Sequence, residues 1–185
     1  MPRFKNKHPE HTMKRLDKHE EEVSGPIHYA MSIPGSGELM AVVAMETRTK
    51  QRIDLTAKVK SGKLEWQVPD GRWKIMAFLC MPTKSYLVDY LDPAACQLFV
   101  NMTHEAYFKR FEKYFGNVID STFFDEPTIY HEKGRVWTGA FNEKFEKKHG
   151  FDPASLYPAL WYDIGPDTQA ARNHLFGFRA QLYAE

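Results

Sequence analysis

The chain has 185 residues, enough for one sizeable domain at about 100–200 residues per domain, and its 43% apolar content allows a buried core. Its 25 basic and 24 acidic residues leave a net charge of +1, so the charge balance gives no reason to expect nucleic acid or a membrane surface as partner. No run reaches the roughly 18 apolar residues of a transmembrane helix. The start, MPRFKNKHPEHTMKRL, lacks the apolar stretch of a signal peptide. Two readings of the compartment follow: a cytoplasmic protein, or a chain whose true N-terminus lies upstream. The two cysteines, Cys80 and Cys96, sit in apolar surroundings without a CxxC spacing and read as free thiols.

Residues 1–26 are polar and basic, and four of the eight histidines (His8, His11, His19 and His28) fall in the first 28 positions at spacings that match no zinc pattern. This part is expected to be a tail, with KRLDKHEEEVSGP as one short helix stopped at Gly25-Pro26.

Residues 27–82 read as β. ELMAVVAMETR holds a continuous apolar run, as in a strand covered on both faces. RIDLTAKVK and KLEWQV alternate, with Leu64, Trp66 and Val68 inward in the second, and Ser61-Gly62 between them predicts a hairpin. PDGR at 69–72 predicts another turn. WKIMAFLC is apolar on both faces from Ile75 onward and predicts a central strand.

Residues 83–185 change character. Asp92-Pro93 pairs an N-cap acid with proline at the first helical position and predicts a helix to about Phe115, stopped by Gly116. Its expected apolar stripe is Ala95, Leu98, Phe99, Met102, Ala106 and Phe111. NVIDSTFF predicts a strand. Thr138 is the expected N-cap of a helix carrying Phe141 and Phe145 and capped by Gly150. DPASLYPAL and DTQAARNHLFGFRAQLYAE predict two more helices.

Strand, helix and strand in this order suggest a β-α-β crossover with parallel strands. The expected fold class is therefore α/β: part of a (β/α)8 TIM-barrel-like domain, with an antiparallel β segment in its N-terminal half.

Sites in parallel β/α folds lie at the carboxyl ends of strands. That rule selects MPTKSYLVDYLDP, with Asp89 and Asp92, and FDEPT, with Asp125 and Glu126. Successive strand side chains alternate, so only one of Asp125 and Glu126 is expected to enter the site, and Pro127 ends the strand there. Tyr130, His131, Arg135 and Trp137 lie close by in the sequence. Acids beside flat aromatic faces suit a sugar: carboxylates transfer the protons, and rings pack on the apolar face of the pyranose. A surface acid beside a helix cap is the plainer reading of the pair. For Asp92 the capping role outweighs a catalytic one, and Asp89 is open between the two. His104 and Glu105 lack an HExxH pattern and read as a helix face. The Gly-Ser-Gly at 35–37 has no following Lys-Ser/Thr and is not a phosphate loop.

VDYLDPAACQLFVNMTHEAYFKRFEKYFG, then STFFDEP, then VWTGAFNEKFEKKHGFDPASLYPAL resembles the catalytic region of large bacterial glycoside hydrolases, in particular the α-L-rhamnosidase-like group of family 106. The resemblance implies a (β/α)8 barrel, an oligosaccharide or glycoside substrate, inverting and calcium-assisted hydrolysis, and a periplasmic or extracellular setting for the full-length relatives. It maps the family's glutamate onto Glu126, the expected general acid. Asp125 is the accompanying acid, and Trp137, Thr138 and Phe141 match the Trp-Thr-Phe pattern. Asp89, Tyr130, Arg135 and Trp137 are the expected sugar contacts, with Asp89 or Asp125 also able to help hold a cation. Because a barrel needs about 250 residues, the chain is expected to be a fragment whose second catalytic carboxylate lies beyond Glu185. The competing readings are a non-catalytic carbohydrate-binding domain using Trp137, Tyr130 and Tyr86 as a platform, and a purely structural piece of a larger chain.

Overall fold

The computed structural model of the chain describes residues 2–123 and 132–185. Its centre is a curved six-stranded antiparallel sheet. The strands are β1 (Lys14–Ser32), β2 (Glu38–Glu46), β3 (Arg52–Asp54), β4 (Val59–Lys60), β5 (Lys63–Pro82) and β6 (Val136–Trp137). They run in the order β3-β2-β5-β1-β6, and β4 also pairs with β5. Every ladder is antiparallel.

This corrects the expected barrel: the sheet is a half-barrel of antiparallel strands, not part of a (β/α)8 fold. The crossover expected after β5 is not formed. Residues 117–123 hold no strand, only a single bridge between Phe115 and Ile119, and Val118 and Phe123 are exposed. An apolar run such as NVIDSTFF becomes a strand only where neighbouring strand edges can take its backbone hydrogen bonds. Here β5 is already paired on both sides, by β1 and by β2.

The largest local correction is at the N-terminus. KRLDKHEEEVSGP is the first two-thirds of β1, not a helix. Its charges find partners across the sheet and along the same strand rather than along a helix. Glu22 meets Arg72 at 2.6 Å and Lys74 at 2.9 Å, and Glu20 meets Lys18 at 2.6 Å. The Tyr162 hydroxyl donates to Glu20 at 2.6 Å. A short helix, α1 (Pro2–Lys7), and a 3-10 turn, Pro9–His11, precede the sheet, and α1 buries Phe4 against Phe99.

The two strands read as covered on both faces are so. Met76, Phe78 and Cys80 of β5 join Val43 and Met45 of β2 in a core under the helices. Ile75 and Ala77 join Val42 and Ala44 in a second core on the opposite face. Residues 69–72 do not turn the chain. They form a bulge within β5, where Pro69 and Asp70 stand between the Gly25–Gly71 pair and the Ile27–Val68 pair. Gly71 takes φ +117, a region that favours glycine, and a Cβ on Gly25 would overlap the Pro69 carbonyl. The bend folds the first half of β5 over the second, so Trp66 meets Trp73 edge-on at 5.4 Å. The hairpin at Ser61-Gly62 forms with both residues at positive φ, as a type I′ turn requires. RIDLTAKVK does not form one strand: it pairs with β2 over β3, breaks where the Asp54 carboxylate takes the Thr56 N–H at 2.8 Å and a 3-10 turn follows, and pairs again with β5 over β4.

The segment after β5 is helical from α2 (Pro93–Val100) through a π-helical stretch, Asn101–Glu105, into α3 (Ala106–Phe111). Asp92 caps it as expected, accepting from the Ala94 N–H at 3.0 Å. Two further helices, α4 (Phe141–His149) and α5 (Thr168–Ala184), flank a 3-10 stretch, Ala154–Leu160, and cover the first core. Gly150 closes α4 in the left-handed conformation. Thr138 does not cap α4: Ala140 holds that position, and the Thr138 hydroxyl turns to Asp89.

Candidate functional site

The loop after β5 folds back along the start of β1. Met13 N–H donates to the Leu87 carbonyl at 2.9 Å, Asp89 N–H to His11 at 2.9 Å, and the Thr83 hydroxyl to Met13 at 2.9 Å. This lacing carries Asp89 to the side of Lys14, far away in sequence. The Asp89 carboxylate is fully buried. It accepts from Lys14 Nζ at 3.1 Å, from the Leu91 N–H at 3.1 Å and from the Thr138 hydroxyl. Burial pushes its carboxyl above the ordinary carboxylate range, and the Lys14 ammonium and the donors at Thr138 and Leu91 only partly oppose the shift. Asp89 therefore acts through Lys14: it fixes an ammonium at the wall of a cleft and does not itself face solvent.

That cleft has a volume of about 530 Å³, within the range of small-molecule sites. Its polar lining is Lys14, Glu38, Asp92, Thr138, Asn142 and Glu143. Asn142 is held rigidly. Its Nδ2 donates to the Met40 carbonyl at 2.7 Å, and its Oδ1 accepts from the Tyr157 hydroxyl, which in turn accepts from the Trp137 indole N–H at 3.2 Å. Trp137, expected as a sugar platform, is wholly buried and stacks on Phe141 at 4.1 Å. Its ring has no free face, and its part in the site is to anchor Tyr157 and hence Asn142. Asp92 is divided between the cap and His11, whose Nδ1 lies 3.3 Å from Oδ2.

Arg135 lies in a separate groove of about 280 Å³ with Arg15, Asp17, Glu132 and Lys133. Its guanidinium sits 4.8 Å over the Trp161 ring, and its backbone carbonyl accepts from Leu16 at 2.8 Å. The groove and the cleft share no lining residue. Tyr86 is 53% exposed, with Lys5 Nζ 5.1 Å over its ring. The expected catalytic pair, Asp125 and Glu126, and the expected contact Tyr130 lie outside the described residues. His104 and Glu105 border an apolar groove with Phe108 and Phe115, and His104 Nδ1 is 2.9 Å from the Thr103 hydroxyl. Among the described residues no group of three or more His, Cys, Asp or Glu is placed to hold a metal ion, so the calcium that the resemblance implies finds no matching donor set there.

Sequence reasoning missed Lys14, Glu38, Asn142 and Glu143. Nothing local marks them, since Lys14 and Asp89 are 75 residues apart and meet only through the fold.

No curated protein matches the chain. The model of glycoside hydrolase family 106, described as alpha-L-rhamnosidase, matches residues 7–184. That match takes in the buried Asp89–Lys14 pair, the polar cleft and the Asp-Glu-Pro stretch together, and the chain belongs to this family of glycoside hydrolases.

Proposed function

We propose that the protein hydrolyses α-L-rhamnosides, with Glu126 as the general acid that protonates the leaving oxygen. The observation that carries this reading is the family match over residues 7–184, which includes Asp125-Glu126-Pro127. Hydrolysis also needs a second carboxylate, a base for water or a nucleophile. Asp89 is a poor candidate for it, being fully buried and committed to Lys14. Asp125, Tyr130 and Arg135 are assigned to the substrate. For Arg135 the support is its place in a groove, with its guanidinium 4.8 Å over the Trp161 ring.

The test is Glu126→Gln in the full-length protein, assayed on 4-nitrophenyl α-L-rhamnopyranoside. General acid–base catalysis contributes typically about 10²–10⁴-fold, so kcat is expected to fall by about that factor with the melting temperature unchanged. Turnover within threefold of the parent would remove Glu126 from the mechanism. The reading as a non-catalytic sugar-binding domain loses its main ring, because Trp137 is buried.

A further inference from the structure

The chemistry of the cleft at the start of β1 restricts what it can hold. Its one ammonium, on Lys14, is already neutralised by buried Asp89 at 3.1 Å. Glu38, Asp92 and Glu143 then leave the walls net negative, which disfavours an anionic ligand. A metal ion is disfavoured in turn by the Lys14 ammonium in the same wall and by the lack of a three-donor cluster among the described residues. A neutral ligand rich in hydroxyls fits what remains. Glu38 and Glu143 are exposed carboxylates with free lone pairs for O–H donors, and no hydrogen bond among the described residues occupies either. The Lys14 ammonium has three donors and places one on Asp89 and one toward the Thr12 carbonyl at 3.5 Å, leaving one for the cleft. Leu39, Met40 and Ala140 supply an apolar floor for the C–H face of a ring.

Gly139 is a second, independent observation. Its φ is not in the left-handed region, so no turn requires glycine there. A Cβ at this position would overlap the Glu38 carboxylate. Glycine at 139 therefore leaves the carboxylate its present place against the cleft wall, although Glu38 is an exposed, flexible side chain that a larger residue would only displace.

We infer that this cleft binds one neutral pyranose ring of the glycoside, with Glu38 and Glu143 accepting from its hydroxyls and Lys14 and Asn142 fixing its orientation. The inference rests on the glycoside-hydrolase reading for the choice of sugar only. The tetrad is not assigned to bond cleavage; it sets which ring is held and how.

The test is isothermal titration calorimetry of the full-length protein with L-rhamnose, D-mannose and D-galactose as neutral probes, D-glucuronate as the anionic probe and calcium chloride as the cationic one. The titrations are repeated on Glu143→Gln and Gly139→Ala, with thermal melts to verify folding. Glu143 is exposed on α4, so its substitution leaves the fold intact even if Gly139→Ala perturbs it. A charge-assisted hydrogen bond removed from a ligand weakens binding by about tenfold. The expected result is that one neutral sugar binds the parent and loses about tenfold in affinity in Glu143→Gln, with D-glucuronate weaker than that sugar. If the sugar is D-mannose or D-galactose, the cleft assignment stands with that sugar as its occupant, and the rhamnoside reading stands or falls by the Glu126→Gln assay alone. If L-rhamnosides are hydrolysed but no sugar shows dependence on Glu143, the cleft assignment falls and the hydrolase reading stands. Tighter binding of D-glucuronate, or calcium binding lost in Glu143→Gln, would overturn the choice of a neutral ring.

Discussion

β5 and the helical arm that follows it, residues 93–114, are both rich in large apolar side chains, and they use them in opposite ways. In β5, Met76, Phe78 and Cys80 go to one core and Trp73, Ile75 and Ala77 to the other, and all six are buried, as is Leu79. In the arm only Ala95 is fully buried. Leu98, Phe99 and Met102 rest against Phe4 and Val88 in a small satellite cluster, while Tyr107 and Phe108 stand 56% and 41% exposed. Apolar content alone therefore does not locate the core of this protein. A strand gains two faces of burial when strands flank it and layers cover it, whereas a helix gains only the stripe that finds a partner.

Three substitutions test this difference between strand and arm. The largest effect is expected for Phe78→Ala, which empties the space between Tyr157, 5.4 Å away, and Trp161, 5.5 Å away. The loss should be about 3–5 kcal/mol in urea unfolding, as for other buried aromatic deletions, and a cost below about 1 kcal/mol would show that the first core is not close-packed. Lys14→Met is expected to cost a similar or slightly smaller amount, about 3–5 kcal/mol near pH 8, because it strands the Asp89 carboxylate in the interior. The sign of its pH dependence follows from Asp89. Its folded-state pKa is raised by burial, so the folded chain holds the proton where the unfolded chain has released it, and stability falls as pH rises through the raised value. Without Lys14 to offset the charge, the penalty should be greatest above that range and shrink toward acid pH; a penalty flat from pH 4 to pH 8 would contradict the assignment. At the other end, Tyr107→Ser on the arm should change stability by no more than about 0.5 kcal/mol. A loss above about 2 kcal/mol would mean that this face of the arm is covered.

The same contrast explains what could be read from the chain before its fold. The double-sided apolar runs in β2 and β5, the alternation of Leu64, Trp66 and Val68, the Asp92 cap and the Gly150 cap are local patterns, and each forms as expected. β1 was illegible because its Lys-Glu-rich composition is helix-like along the chain. Its strand form comes from the backbone ladder with β5 along its whole length, and its carboxylates find Lys74, Arg72 and Tyr162, which lie across the sheet or beyond it. The half-barrel was illegible for a related reason: a run of strand, helix and apolar segment looks the same whether or not the last segment finds an edge to pair with.

Asp89 and Arg135 were named as sugar contacts from their loops, and the structure sets them apart, Asp89 behind the wall of the cleft and Arg135 in a separate groove. Asp89 proved to be the buried holder of Lys14, and Trp137 the anchor of a Tyr157–Asn142 relay. The family, by contrast, was legible in the motifs themselves, and the match over residues 7–184 agrees with them.

By itself, then, the sequence determined the family, the central strands and the caps at Asp92 and Gly150, because these depend on residue type and short-range periodicity. The tertiary structure alone decided that the sheet is antiparallel, that β1 is a strand, and that Lys14, Glu38, Asn142 and Glu143 share one cleft. Those outcomes depend on which distant backbone edges and charges meet, and long-range pairing of that kind leaves no mark on local sequence.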